Sequence, residues 1–165
     1  MVFIFKNKAV EIKSVNETIN MKIESNVFEN NKMIPTQYTC YGEGSQIPIS
    51  ISGVPENAKN LALIVDDPDA PNGEFVHWVI WNIPPETLTI VDNDLSQAVE
   101  GYTSLDKPGF VAPCPPSGIH HYNFNLYALD STLSIVKSSD KADLIKAMER
   151  HIVDRATLVG LYGRE

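Results

Sequence analysis

Apolar residues along this chain fall mostly into short runs, which either alternate with polar positions or are apolar throughout. Such runs span residues 47–51, 61–65, 76–83, 120–129 and 157–162, and a weaker one spans residues 21–27. They are rich in Val, Ile, Tyr and Trp and are bounded by Gly, Pro, Asn or Asp, which is typical of β-strands. The eleven prolines lie mainly between the runs and predict a sheet protein with long loops.

One helix is predicted near the C-terminal end. Asp140 has the side chain of an N-cap residue, and Asp143 places a negative charge in the first turn, where the helix dipole favours it. The apolar residues that follow recur at helical spacing and form one predicted stripe: Leu144, Ala147, Met148 and Ile152. We expect this stripe to pack on a sheet. Strands with one late helix predict a mostly β protein, a β-sandwich with a helix near the C-terminus.

Length and composition predict a single domain. A chain of 165 residues with 43% hydrophobic and 21% charged residues can bury one core. The domain is predicted to cover residues 21–165, because residues 1–20 are half polar and show no clear period. We interpret residues 1–20 as an N-terminal extension or an extra edge strand.

The net charge of -8 argues against two classes of partner. An acidic surface repels the phosphates of nucleic acids and the anionic faces of lipid bilayers. No apolar run approaches the length of a membrane helix, and the first residues lack the pattern of a secretory signal. We therefore expect a cytoplasmic protein that binds no nucleic acid and has no stable membrane attachment.

The two cysteines, Cys40 and Cys114, are too few for a disulfide framework and lack a metal-type spacing. In the reducing compartment predicted above, two free thiols are the favoured interpretation. A single disulfide between them is the alternative, because the fold can bring two distant loops together.

The first group of candidate site residues lies in residues 66–71, which follow an apolar run. In an extended chain, positions i and i+2 project to the same side, so Asp67 and Asp69 can face one site. Pro68 and Pro71 stiffen the turn that follows. A simpler interpretation is a polar strand end, in which the carboxylates only cap a turn.

Two further segments carry histidines. In residues 75–82, alternation puts His77, Val79 and Trp81 on one face and Val76, Trp78 and Ile80 on the other, which predicts a central strand buried on both sides. In residues 113–127, a strand is expected to begin near Ile119, with one face running from polar to apolar: His120, Tyr122, Phe124 and Leu126. His121, on the alternate face, is expected to be exposed. The carboxylates, imidazoles and phenol together predict a small polar ligand site.

Several of these segments also resemble the signature motifs of the phosphatidylethanolamine-binding (Raf-kinase-inhibitor-like) family. They are Asp-Pro-Asp-Ala-Pro at residues 67–71, His77 in its Trp-rich strand, and Pro-Pro-Ser-Gly-Ile-His-His-Tyr at residues 115–122. Other segments resemble the bacterial and archaeal branch of the family. They are Tyr-Thr-Cys at 38–40, Ser-Gly-Val-Pro at 52–55, and the ending with Ala-Met at 147–148, His151 and Gly-Leu-Tyr-Gly at 160–163. The resemblance covers residues 21–163.

This resemblance implies a large central antiparallel sheet with a smaller sheet packed against it, and a cavity for phosphate-like or carboxylate groups without a cofactor. By motif position, the residues of that cavity would be Asp67, Asp69, Pro71, His77, Pro116, Gly118, His120 and Tyr122. Members of the family act as regulators, including inhibitors of kinases and of serine proteases. Residues 109–119 are shorter than in the eukaryotic branch, and no sequence is present for a C-terminal helix that borders the cavity there, which argues against transferring kinase inhibition or lipid specificity.

Three alternatives to ligand binding stay open. An enzyme could use His77 or His120 as a general base, with Cys114 as the one credible nucleophile, although the chain has no Gly-x-Ser-x-Gly elbow. Two Asp and two His could also bind a metal. Finally, the protein could act through a surface that a protease recognises. We expect binding rather than catalysis.

Overall fold

The strands of three or more residues in the computed structural model lie where the sequence alternates or is continuously apolar. The structure describes residues 20–91 and 95–164. Over these residues it contains nine strands and one α-helix, in the order β1 (Lys22–Glu24), β2 (Lys32–Met33), β3 (Ile49–Ser52), β4 (Asn60–Asp67), β5 (Phe75–Ile83), β6 (Thr89–Ile90), β7 (Val99–Glu100), β8 (Gly118–Leu129), α1 (Lys141–Met148) and β9 (Ile152–Arg164). A single 3₁₀ turn, Thr36–Tyr38, follows β2.

The strands form two sheets. The larger has six strands in the order β2-β9-β8-β4-β5-β7, and the smaller has three in the order β1-β3-β6. All described pairs are antiparallel except β2 with β9. β4 lies between β5 and β8 and is buried along its whole length, as a strand covered on both faces must be. The predicted mostly β fold, with a large sheet, a smaller packed sheet and a C-terminal helix, is confirmed.

The main core lies between the two sheets. Ile23, Ile49 and Ile51 of the smaller sheet pack in one apolar cluster with residues of the larger sheet. The larger sheet contributes residues of four strands, β4, β5, β8 and β9: Leu61, Leu63, Val65, Trp78, Ile80, Tyr122, Phe124, Leu126, Leu158 and Tyr162. We call this side of the larger sheet its inner face. The predicted sharing of one face by His120, Tyr122, Phe124 and Leu126 is confirmed, since all four are buried.

The helix covers the outer face of the larger sheet, on which Ala62, Ile64, Val79 and Trp81 lie. Asp140 accepts a hydrogen bond from the backbone N–H of Asp143, whose side chain accepts one from the backbone N–H of Asp140, so the N-cap prediction is confirmed. Leu144 and Met148 are buried against the sheet. The assignment of Ile152 to the same stripe was wrong. The helix ends at Met148, the chain turns at His151, and Ile152 begins β9 with an exposed side chain.

A β-bulge in β5 changes the predicted alternation of that strand. Asp66 pairs with Val76 and Val65 pairs with Trp78, so His77 is the extra residue. The pairing of β4 with β8 shows no shift at the same place, which locates the bulge in β5. His77 therefore shares the inner face with Trp78, whereas strict alternation put it with Val79 and Trp81. Burial of β5 on both faces is confirmed for residues 77–81.

The prediction of two free thiols was wrong. Cys40 and Cys114 form a disulfide, with their Cα atoms 5.3 Å apart. The loops that carry them lie side by side, since the backbone N–H of Cys40 donates a hydrogen bond to the Pro113 carbonyl at 3.0 Å. The two cysteines are 74 residues apart in sequence, so this proximity arises only from the tertiary fold.

Two further sequence-based predictions concern membrane attachment and the N-terminal residues 1–20. In residues 20–91 and 95–164, no helix is long and apolar enough to cross a membrane. The interpretation of residues 1–20 falls, except for Asn20, outside the part of the chain that the structure describes.

Candidate functional site

Five of the eight predicted site residues line a cavity of about 140 Å³ at one end of the larger sheet: Asp67, Pro71, His77, Pro116 and His120. Asp67 is the last residue of β4, and His77 and His120 lie near the starts of β5 and β8. Because β4 runs antiparallel to both neighbours, its end meets their beginnings. The wall opposite the strands is formed by Pro71 and by residues of 110–117, among them Cys114 and Pro116. Grooves of 270–470 Å³ elsewhere on the described surface are larger but have no histidine in their lining.

The charged part of the pocket is a buried pair of Asp67 and His120. Nδ1 of His120 lies 2.6 Å from Oδ2 of Asp67, and the two side chains are 7% and 6% exposed. Nε2 of the same ring lies 3.1 Å from the carbonyl oxygen of Ser117. Both ring nitrogens thus face oxygen acceptors, which hold the imidazole in one orientation. The carboxylate of Asp67 also accepts from the backbone N–H of Asp69 at 2.8 Å, which fixes its orientation.

His77 is buried in a different environment. Its Nδ1 lies 2.7 Å from the carbonyl oxygen of Val111, so Nδ1 carries the hydrogen and Nε2 keeps a lone pair. Burial lowers the pKa of His77, and the hydrogen bond to Val111 and the charge of Asp67 oppose this shift less strongly. The ring of Phe75 lies against it, with centroids 4.7 Å apart. His77 is thus a neutral hydrogen-bond acceptor at neutral pH.

Tyr122 lies beneath the two histidines. Its ring centroid is 5.3 Å from that of His77 and 6.5 Å from that of His120. The residue has no exposed surface, and its hydroxyl has no hydrogen-bond partner among the described residues. Burial raises the pKa of this phenol, so it stays protonated and keeps an unused donor below the pocket floor.

The structure separates Asp69 from this pocket. β4 ends at Asp67, and Asp69 points outward, where it accepts from the backbone N–H of His121 at 2.8 Å and lies 2.7 Å from Nδ1 of the same residue. These hydrogen bonds lower the pKa of Asp69. His121 is exposed as predicted, but it is paired. Of the remaining predicted residues, Pro71 and Pro116 line the pocket, whereas Gly118 is absent from its lining and begins β8 with a positive φ of 70°.

Residues 110–117, which we call the wall segment, form more of the pocket than the sequence patterns predicted. This segment has no helix or strand and contributes Val111, Ala112, Cys114, Pro115 and Pro116 to the lining. It also provides the carbonyl groups that orient both histidines, those of Val111 and Ser117. Carbonyl groups belong to every residue type, so side-chain patterns gave no signal for this role. The proline cluster beside Cys114 was the one available signal.

The outer face of the sheet near the pocket has its own polar network. The carboxylate of Asp66 lies 2.9 Å from Nζ of Lys141 and accepts from the side-chain amides of Asn123 and Asn125, each at 3.2 Å. Lys141 also bonds to Glu74. This network attaches the start of α1 to the sheet and does not touch the pocket lining. Within residues 20–91 and 95–164, no cluster of three or more His, Cys, Asp or Glu side chains is placed to bind a metal ion.

Comparisons with known proteins agree with this architecture. The family model described as phosphatidylethanolamine-binding protein matches residues 24–163. A UPF0098 protein of Methanothermobacter thermautotrophicus is 45% identical over 150 residues, which cover 87% of this chain and 99% of the relative. A UPF0098 protein of Pyrococcus horikoshii is 42% identical over 164 residues, which cover 90% of this chain and 79% of the relative.

Two crystal structures share the fold. One is a phosphatidylethanolamine-binding protein homolog from Chlamydia trachomatis, with a TM-score of 0.85 and 37% identity, covering 89% of this chain and 99% of that one. The other is E. coli YbcL, described as a member of the mammalian family of these proteins. It has a TM-score of 0.81 and 26% identity, covering 88% of this chain and 99% of that one.

Proposed function

Because this chain belongs to the phosphatidylethanolamine-binding protein family, we propose that the pocket between His77 and His120 binds a small anion, a phosphate-like or carboxylate group. The observation that carries this proposal is the arrangement of His120. Its ring is held by Asp67 at 2.6 Å, and its second nitrogen faces an oxygen atom, the Ser117 carbonyl, at the edge of the cavity. A ligand oxygen that replaces this carbonyl would receive a charge-assisted hydrogen bond.

The neutral His77 adds a second requirement for the ligand. With Nδ1 committed to Val111, its other nitrogen can only accept a hydrogen bond. A ligand that carries both an anionic oxygen and a hydroxyl, such as hydrogen phosphate, satisfies an acceptor and a donor at once. A fully deprotonated anion such as sulfate or a carboxylate still receives the hydrogen bond of His120, so it is expected to bind, though more weakly than hydrogen phosphate.

A binding role suits this pocket better than catalysis. Cys114, the nucleophile considered from the sequence, has its sulfur in the disulfide with Cys40. The oxygen atoms that contact the two pocket histidines are carbonyls and a carboxylate, and none of them is a hydroxyl. An activated nucleophile would need a hydroxyl or thiol at one of these positions. Screening for turnover of esters and phosphoesters tests this point directly.

Calorimetric titration with sulfate tests the anion site, since sulfate keeps its charge over the pH range in which histidine titrates. We expect His120→Gln to lose at least about tenfold in sulfate affinity, because a charge-assisted hydrogen bond contributes roughly 1.5–3 kcal/mol. His151→Gln is the matched control, since His151 forms a similar pair with Asp130 at 2.8 Å on the surface, outside the pocket. Sulfate affinity that is equal in wild type and His120→Gln would contradict the proposal.

Inhibition of a kinase or a serine protease, which the sequence resemblance implied, is a separate activity. Trypsin-like, chymotrypsin-like and elastase-like enzymes can be assayed with and without added protein. If none of the three proteases is slowed while sulfate binds the pocket, the protein is a small-anion binding protein that does not inhibit these proteases.

A further inference from the structure

The wall segment has little structure of its own to hold it in place. Residues 110–117 form no helix or strand, and Pro113, Pro115 and Pro116 have no backbone N–H to donate. The position of the segment therefore depends on contacts with other parts of the chain. The hydrogen bonds and the disulfide that hold residues 111–115 divide into two groups.

The first group holds the start of the segment to β5. The backbone N–H of Val111 donates to the His77 carbonyl at 2.9 Å, and the Val111 carbonyl accepts from Nδ1 of His77 at 2.7 Å. These two bonds couple the segment directly to one pocket histidine.

The second group holds the rest of the segment to two consecutive residues, Cys40 and Tyr41. The backbone N–H of Cys40 donates to Pro113, the hydroxyl of Tyr41 donates to the Pro115 carbonyl at 2.8 Å, and the disulfide joins Cys40 to Cys114. The disulfide is the covalent contact in this group. Two ordinary hydrogen bonds are left when it is broken.

This second half of the segment is the part that shapes the pocket. Cys114, Pro115 and Pro116 line the cavity, and the carbonyl of Ser117, one residue further on, contacts Nε2 of His120. Any increase in the mobility of residues 113–116 therefore loosens the wall against which a ligand in the cavity would pack. A ligand that needs an ordered cavity must then order these residues on binding, which weakens its affinity.

We propose that the Cys40–Cys114 disulfide is a redox-controlled bond that sets the anion affinity of the pocket, high when the bond is formed and low when it is reduced; this inference rests on the proposed function. Both cysteines are exposed, so a thiol can reach the bond. A thiolate of a dithiol reductant attacks one cysteine sulfur and breaks the S–S bond. The second thiol of the reductant then resolves the mixed disulfide, which leaves two cysteine thiols in the protein and a disulfide in the reductant.

The coupling must be reciprocal, because it is an equilibrium between two sites. If the disulfide strengthens anion binding, then a bound anion must make the disulfide harder to reduce by the same factor. The protein would thus hold its ligand under oxidising conditions and release it when thiol reductants are abundant.

Sulfate calorimetry on the oxidised and the reduced wild type tests the inference. Dithiothreitol is the suitable reductant, because it has no carboxylate or phosphate to compete for the pocket. We expect reduction to weaken sulfate binding about tenfold, which lies within the usual range for coupling between two sites. The double variant Cys40→Ala/Cys114→Ala should bind sulfate as weakly as the reduced wild type and should not respond to dithiothreitol. Near-ultraviolet circular dichroism on each sample shows whether it is folded.

Tyr41→Phe provides a test that needs no reduction. It keeps the disulfide and removes only the hydrogen bond to Pro115, so we expect a smaller loss of sulfate affinity in the oxidised protein. Sulfate that binds equally to oxidised and to folded, reduced protein overturns the redox inference and leaves the anion site intact. If the reduced protein and the double variant unfold, unchanged affinity in Tyr41→Phe overturns it instead. Absence of sulfate binding to the oxidised wild type overturns the proposed function and this inference with it.

Discussion

At the scale of single residues, the two pocket histidines lie in different environments, although the sequence predicted one shared site for both. His120 is paired with a buried carboxylate, whereas His77 faces a backbone carbonyl and is desolvated. Two histidines in one shared environment would gain charge together on mild acidification. The lowered pKa of His77 makes that ring a poor contributor at mildly acidic pH.

The lowered pKa of His77 also predicts how stability depends on pH. As the pH falls below about 6.5, the unfolded chain takes up a proton on this histidine before the folded protein does. Acidification therefore favours unfolding, and the stabilisation is fully present only above that pH. We expect the free energy of unfolding, measured with urea from pH 7.5 to pH 5, to fall more steeply for wild type than for His77→Gln. Glutamine is chosen because its amide can still donate to Val111. If the free energy of unfolding falls equally with pH in wild type and His77→Gln, then His77 has the same pKa in the folded and the unfolded protein, which contradicts the prediction.

At the scale of elements, the helix and the large sheet are joined by an ion pair as well as by apolar packing. Lys141 is the first residue of α1, and its ammonium group lies 2.9 Å from the carboxylate of Asp66, whose side chain is 6% exposed. A buried carboxylate without a cationic partner is strongly unfavourable. The two asparagine amides of β8 that also bond Asp66 compensate only part of that loss.

Replacement of this lysine is therefore expected to destabilise the fold. Lys141→Met keeps most of the aliphatic side chain and removes the charge, and we expect a loss of about 1.5–3 kcal/mol in the free energy of unfolding. Lys146→Met in the same helix is the matched control, because Lys146 is exposed. Equal stability of the two variants would mean that water satisfies Asp66 as well as Lys141 does. The double variant Asp66→Asn/Lys141→Met should recover part of the loss.

Most of the elements were predictable from the sequence, and the errors at His77 and Ile152 have separate physical causes. The runs at 61–65, 76–83 and 120–129 fall within β4, β5 and β8, because alternation and β-branched content act over the length of one strand. The bulge at His77 was missed because it depends on the register between two strands. Ile152 was assigned to the helix because its spacing is helical, yet the turn at His151 ends that period.

At the scale of the whole molecule, the disulfide links two segments that would otherwise be joined only by hydrogen bonds. Its cysteines are 74 residues apart, so the bond closes a long loop in the unfolded chain. Cross-links of this kind stabilise a protein mainly by restricting its unfolded state, and the effect grows with loop length.

Removing the disulfide is therefore expected to lower global stability. For a loop of this length, the entropy model gives about 4 kcal/mol. We expect Cys40→Ala/Cys114→Ala to lose up to this amount in urea unfolding at fixed pH, and reduced wild type to lose the same. Agreement between the two samples separates the cross-link from side-chain effects. A loss below about 1 kcal/mol in both would mean that native strain or residual unfolded structure cancels the entropic gain.

The sequence alone predicted six of the nine described strands, the capped helix and the buried face of β8, and it identified Asp67, His77 and His120 as candidate pocket residues, because each of these rests on local periodicity, local chemistry or motif order. Tertiary structure alone decided which of these residues touch. In the folded protein, Asp69 pairs with His121, and a bulge places His77 on the inner face. Cys40 and Cys114 form a disulfide, and the carbonyls of Val111 and Ser117 orient the rings of the two pocket histidines. Strand register, loop proximity and backbone carbonyl positions depend on contacts between distant segments, and no side-chain pattern within one segment encodes them.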